Sequence, residues 1–287
     1  MAKYSIVNEI DGGTVAGEIA ALQADSPKAI LVVEGSSDER FFNQFRNEAS
    51  CSIVISAGWE NAIDGLMIVR ANGRVGVLVV LDLDYRAVLQ NVIVDPDIVF
   101  TREHDLEMAM TASPAFEKVL YELGSQPKIV AFMETGKSPR QLISDIARPI
   151  GALRLYAQEK RIALDFDEYD YRHLTIRMDF DFDDFVRMIF ARSKIAVQTC
   201  PDLQVSVADK INNIPDQHLC CGHDVCAVLG RSLQSTLGSQ NARFVTGELI
   251  ERNLRLAYGA EEFVQSGLYQ DIKGWEARNA PYLILRI

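Results

Sequence analysis

Two aspartates close the apolar run VGVLVVLDLDYR: Asp82 and Asp84, separated by one leucine. In an extended strand, residues i and i+2 face the same side, so this pair would set two like charges side by side. A hard divalent cation relieves that repulsion, because Mg2+ is held by one or two carboxylates together with waters and phosphate oxygens. The alternative is two solvated acids in the loop after a strand, and the pair alone does not decide between them. Glu34 adds weight to the metal reading. KAILVVEGSSDERFF ends another apolar run on this glutamate, followed by Gly35. If the runs 28–33 and 75–81 are neighbouring strands, they lie about 4.8 Å apart, and Glu34 comes beside Asp82 and Asp84. Gly35 would let the backbone turn sharply or approach a ligand closely. Ser36 and Glu39 match a capping box that opens the next helix. Asp38 is placed either to favour that helix N-terminus or to join a metal site. Glu107, in HDLEMAM, is either a further ligand or a solvated charge in a first helical turn.

These acids need a scaffold, and the surrounding pattern supplies one. TVAGEIAALQA, SSDERFFNQFRNE and ENAIDGLMIVRAN read as helices, the second with Phe41, Phe42 and Phe45 on one face. Between them KAILVVE, CSIVIS and VGVLVVLD read as buried strands, with DIVF as a fourth. Short apolar runs separated by helices imply a parallel sheet covered on both faces. Open α/β sheets bind ligands at the carboxyl ends of their strands. Residues 1–112 are therefore expected to form an α/β domain. Residues 113–287 are expected to form a mostly helical region packed on it, from ASPAFEKVLYELG, SPRQLISDIARPIGALRLYAQEKR, DFDDFVRMIFARSKIAVQ and GELIERNLRLAYG. The Ser-Pro starts suit helix N-termini.

Composition narrows the function. The chain has 287 residues and a formal charge of −11, which disfavours phosphate binding over the whole surface. A local cation bridging acids to phosphate stays compatible with that charge. Arg154, Lys160, Arg161, Arg187, Arg192 and Lys194 are dispersed basic candidates for nucleic-acid or partner contacts. No apolar run approaches the length of a membrane span, and the first residues lack the apolar core of a signal peptide. Five cysteines without a secretion signal suit reduced thiols and a cytoplasmic location.

VEGSSDERFF followed by VVLDLDYR resembles the Toprim domain of topoisomerases, primases and related nucleases, over roughly residues 28–110. That resemblance implies a Toprim-like, mainly parallel sheet with flanking helices. It also implies Glu34 as the general acid or base, and Asp82 and Asp84 as ligands of Mg2+, for which Mn2+ can substitute. AGWENAIDGL, FTREHDLEMAM, CCGHDVCAVL and YQDIKGWEARNAPYLIL are further similar to Toprim proteins of bacterial phage defence. This is the branch of the AriB-type effector nucleases of PARIS systems, related to the OLD-family nucleases. The narrower resemblance implies cleavage of nucleic acid, either RNA such as transfer RNA or DNA, under control of an ABC-type, AriA-like ATPase. It leaves homo-oligomerisation open and involves no membrane. Asp38 and Glu107 are then additional candidate metal ligands, and Gly35, Arg86, His223 and Asp224 candidate supporting residues.

Other signals are weaker. HLCCGHDVCAVL invites zinc, but it lacks a distant second ligand pair, and Cys226 reads as core. AFMETGKS fits a relaxed phosphate-loop pattern, yet Phe132, Met133 and Glu134 are too bulky or anionic for converging backbone N–H groups. An ATPase, if needed, is another chain. The run DFDEYDYRHLTIRMDFDFDDF alternates acids and aromatics as solvent-facing strand edges do. Two competing functions remain. A haloacid-dehalogenase-like phosphatase also uses Asp-x-Asp after an apolar strand, but normally has Thr or Val where this chain has Arg86, and it gives Glu34 no role. A Toprim-derived sensor or scaffold would need no catalysis.

Overall fold

The computed structural model of the chain describes residues 10–25, 28–166 and 180–287. In chain order its elements are α1 (Gly12–Asp25), β1 (Ala29–Val33), α2 (Ser36–Phe42), β2 (Cys51–Ile55), α3 (Trp59–Ala71), β3 (Val77–Leu81), β4 (Ile98–Phe100) and α4 (Leu106–Ala112). There follow α5 (Ala115–Leu123), α6 (Gln126–Met133), α7 (Pro139–Lys160), α8 (Phe182–Arg192), α9 (Leu203–Asn213), α10 (Asp216–Leu219), α11 (Gly222–Leu233), α12 (Gly247–Ala257), α13 (Ala260–Gln265) and α14 (Gly267–Arg278). The fold is α/β, with an all-parallel four-stranded sheet flanked by helices and a helical C-terminal part. No helix among the described residues is long and apolar enough to cross a membrane.

The chain forms two compact units. One holds the residues up to Leu83, Val92–Arg102 and Gly259–Ile287; the other holds Asp84–Asn91 and Glu103–Tyr258. The division differs from a single cut after residue 112, because the last segment returns to the first unit. Phe263 on α13 stacks on Phe45 at 4.3 Å between centroids and meets Phe41 edge-on at 5.7 Å. Aromatics on and just after α2 thus bury their rings against the C-terminal segment. Asn47 N–H donates to Ile284 O at 2.7 Å, which ties the same two segments through their backbones.

The sheet order in the first unit is β2-β1-β3-β4. β1 and β3 are buried along their whole length, as their uninterrupted aliphatic sequences AILVV and VLVVL require. They are direct neighbours, with Ile30 opposite Val77 and Val32 opposite Val79. Val15 and Ile19 of α1, and Ala62, Leu66 and Val69 of α3, pack on one face of the sheet. At the edge beside β4, Arg70 of α3 donates to Asp95 at 2.7 Å and to Asp97 at 2.6 Å. Trp275 Nε1 of α14 donates to the same Asp97 at 2.8 Å.

The second unit is helical. α7 is its long central element, opened by Ser138, whose Oγ accepts from Gln141 N–H, with Pro139 in the first turn. That local geometry also disposes of the phosphate-loop pattern: residues 131–133 are the last turn of α6, and Lys137 pairs with Asp145 at 2.6 Å. The acidic-aromatic run ends in α8, the helix expected from DFDDFVRMIFARSKIAVQ. Asp167, Asp170 and Asp179 of that run lie outside the described residues.

Candidate metal centre at the carboxyl edge of the sheet

Parallel neighbours end on the same edge, so β1 and β3 deliver the residues after them to one place. Glu34 follows β1 and Asp82 follows β3, both half-buried. Their proximity is direct: the Asp82 N–H donates to Glu34 Oε1 at 3.0 Å. Two acids from different parts of the sequence therefore meet at the sheet edge, as the strand reading expects.

The chain after β3 does not continue as a strand. β3 ends at Leu81, and Thr101, directly after β4, holds the backbone beyond that end. Thr101 Oγ1 accepts from Leu83 N–H at 2.9 Å, and Thr101 N–H donates to Leu81 O at 3.0 Å. Thr101 is buried and carried no expectation from sequence, although it lies in the FTREHD stretch. Its signal is position: a hydroxyl residue at the carboxyl end of a strand can serve a neighbouring chain segment's backbone.

α2 corrects two expectations. Its N-cap is Gly35, and the Asp38 carboxylate Oδ2 accepts from the Gly35 N–H at 2.8 Å. The cap is thus one-sided, from the Asp38 side chain to the Gly35 N–H, one residue earlier than the Ser36–Glu39 box. Asp38 is buried and also accepts from Ser37 Oγ at 3.2 Å. Gly35 has φ −144° and ψ 178°, an extended conformation open to any residue, and a Cβ there would meet nothing closer than 3.8 Å. No sharp turn demands a glycine at this position.

The Asp-x-Asp pair is divided between the units: Asp82 belongs to the first and Asp84 to the second. Asp84 has φ +49°, so the i, i+2 alternation of a strand does not govern this pair. Within the second unit, Asp84 accepts from Arg86 Nη1 at 2.5 Å, and its Oδ1 lies 4.0 Å from His104 Nε2. Arg86 is buried while the Asp84 side chain is 44% exposed, so the guanidinium holds a carboxylate that still reaches solvent. The Asp84 backbone N–H donates to His104 O at 2.7 Å.

The remaining predicted residues also lie in the second unit. Glu107 sits in the first turn of α4 but is buried, not solvated, with Arg255 Nη1 at 3.4 Å. Asp224 is buried on α11, where Arg154 grips it with two hydrogen bonds at 2.8 and 2.9 Å. Next to it, His223 has a side chain 62% exposed, with Nδ1 2.7 Å from Glu251 Oε1. The hydrogen bond to Glu251 outweighs partial burial and raises the His223 pKa to about 9. Burial pushes the Cys220 thiol up to about 12, and raises the Cys221 and Cys226 thiols and the Tyr85 phenol well above their ordinary values. Such thiols are poor nucleophiles without an activating partner.

No known family model matches the sequence, and no curated protein matches it.

Proposed function

We propose that the chain is a Mg2+-dependent phosphodiester hydrolase of the Toprim type that cleaves nucleic acid, RNA or DNA, in the cytoplasm. One observation carries this reading: the acids after two adjacent parallel strands meet, with Asp82 N–H on Glu34 Oε1 at 3.0 Å. The donors are carboxylates, the hard oxygen set that suits Mg2+ or Mn2+. Glu34 and Asp82 would hold the ion, with waters and phosphate oxygens completing its shell. When bound, the cation supplies charge stabilisation on the phosphate and an acidified water.

The protein's own groups supply orientation and proton transfer. Glu34 is the proton-transfer residue, and the Asp82 amide fixes one of its oxygens before substrate arrives. Thr101 holds the backbone just past Asp82, which keeps that amide in place. A role as a phage-defence effector, restrained and released by an ABC-type ATPase partner, rests on the four stretches similar to that branch of Toprim proteins. Restraint suits a nuclease that would otherwise damage its own cell.

The test is cleavage of RNA and DNA with Mg2+ or Mn2+, by the chain alone and with its ATPase. Wild-type cleavage should fall by about 10²- to 10⁴-fold in Glu34→Gln. Equal cleavage by wild type and by the Glu34→Gln, Asp84→Asn double variant would sink the mechanism.

A further inference from the structure

We propose that the helical unit carries a second metal site, for a divalent transition metal of the zinc class, held by His104, Asp105 and Cys221. A ring nitrogen of His104, a carboxylate oxygen of Asp105 and the Cys221 sulfur lie within 4.8 Å of one another. Among the described residues, this is the one group of three such donors. Local sequence hid it, because Cys221 finds its partners far away in the chain and not among the neighbouring cysteines and histidines.

The state of His104 points to a ligand. The residue is only 4% exposed, and its Nδ1 is buried without a hydrogen-bond partner. A buried polar atom left unpaired costs roughly 1–3 kcal/mol, so native structures rarely leave one without a purpose. The residue is also held in place. Its backbone N–H donates to Gln217 O at 2.7 Å, and the Tyr85 ring packs on its imidazole at 4.5 Å between centroids. Tyr85 is itself pinned by its hydroxyl, which donates to Gly151 O at 3.0 Å.

Asp105 is positioned as a metal-binding carboxylate usually is. Oδ1 accepts from Met108 N–H and Oδ2 from Gly222 N–H, each at 2.7 Å. These two bonds cap the starts of α4 and α11, fix the carboxylate plane and leave each oxygen a further lone pair. Gly222 makes the approach feasible: a Cβ there would meet Asp105 Oδ1 at 2.3 Å and Glu107 Cβ at 2.4 Å. Cys221 is the N-cap residue of α11, directly before that glycine.

Nitrogen, oxygen and sulfur together select a borderline ion such as Zn2+ and disfavour Mg2+. Three protein ligands leave the fourth tetrahedral position to water. The ion would cross-link the starts of α4 and α11, and its uptake would release the Cys221 proton. This site is separate in donor chemistry from the all-carboxylate centre at the sheet edge.

Co2+ titration of the full chain, stripped with a chelator, tests the proposal. The expected result is one Co2+ per chain with thiolate-to-cobalt charge-transfer absorption, displaced by Zn2+. Cys221→Ser should abolish that absorption, and His104→Gln should weaken binding at least about tenfold, with far-ultraviolet circular dichroism unchanged. Cys220→Ser and Asp82→Asn should both retain the absorption. Absence of the thiolate band in wild type, or its survival in Cys221→Ser, overturns the site.

Discussion

At the scale of single residues, each carboxylate's role follows from what already holds it. Glu34 and Asp82 meet through the Asp82 backbone N–H, and both are half-buried. Glu107 and Asp224 are buried against Arg255 and Arg154, so both are already neutralised by protein. Stripping one partner from such a pair leaves an uncompensated charge, which suits a structural role better than exchangeable metal binding. His223 differs, because it is exposed and charged at neutral pH. Its pKa is raised from 6.5 to about 9 by Glu251. A raised pKa means the contact stabilises the fold fully below pH 6.5 and is lost as pH rises through about 9. Proton NMR of the His223 ring should titrate near 9 in wild type and move back toward 6.5 in Glu251→Gln; coincident titrations would contradict the pairing.

At the scale of elements, the sheet edge depends on β4 as much as on the strands that carry the acids. Thr101 accepts the Leu83 N–H inside the first unit, where water does not replace it. Thr101→Val should therefore leave a buried donor unpaired and cost about 1–3 kcal/mol, read by urea unfolding, while Thr101→Ser should restore most of the loss. Equal stability of both variants would show that the hydroxyl is not needed. The strands themselves were legible in the sequence because two buried parallel strands read as plain aliphatic runs, AILVV and VLVVL. Glu34 and Asp82 were legible for the same reason, as charges that stop such runs. The cap was misplaced by one residue, because Ser36 and Glu39 match the capping-box pattern, whereas the N-cap is Gly35, which has no side chain to announce it. The left-handed turn at Asp84 was not legible, since an aspartate adopts positive φ only in a minority of cases and the apolar run before it reads as a continuing strand.

At the scale of the whole molecule, the chain alternates between two units, and neither Asp84 nor the C-terminal helices stay with the nearest sequence neighbours on one side. Composition could not reveal this, because the return of residues 259–287 depends on Phe263 finding Phe41 and Phe45 across most of the chain. His104, Asp105 and Cys221 were hidden in the same way: they are brought together by helix packing and not by spacing. The net charge of −11 shapes how nucleic acid can bind. Of the six dispersed basic candidates, Arg154, Lys160, Arg187 and Arg192 pair with Asp224, Asp202, Asp184 and Asp165. These four cations are already paired with carboxylates, and each phosphate contact contributes a slope of about 0.9 in log affinity against log salt. Binding of RNA or DNA to the wild-type chain, followed by fluorescence anisotropy with Ca2+ in place of Mg2+ to hold back cleavage, should need the divalent cation and show a shallow slope of about −3 or less in magnitude. A steep slope without the divalent cation would place binding on a basic surface instead.

The central claim is that Glu34 and Asp82 hold a hard divalent cation, and metal binding tests it without needing substrate, trigger or partner. Mn2+ is the suitable probe, because it favours oxygen donors over thiolate. Calorimetric titration of the wild-type chain with Mn2+ should give saturable binding that Asp82→Asn and Glu34→Gln each weaken at least about tenfold, while Cys221→Ser leaves it unchanged. Undiminished Mn2+ binding in both carboxylate variants would contradict the account.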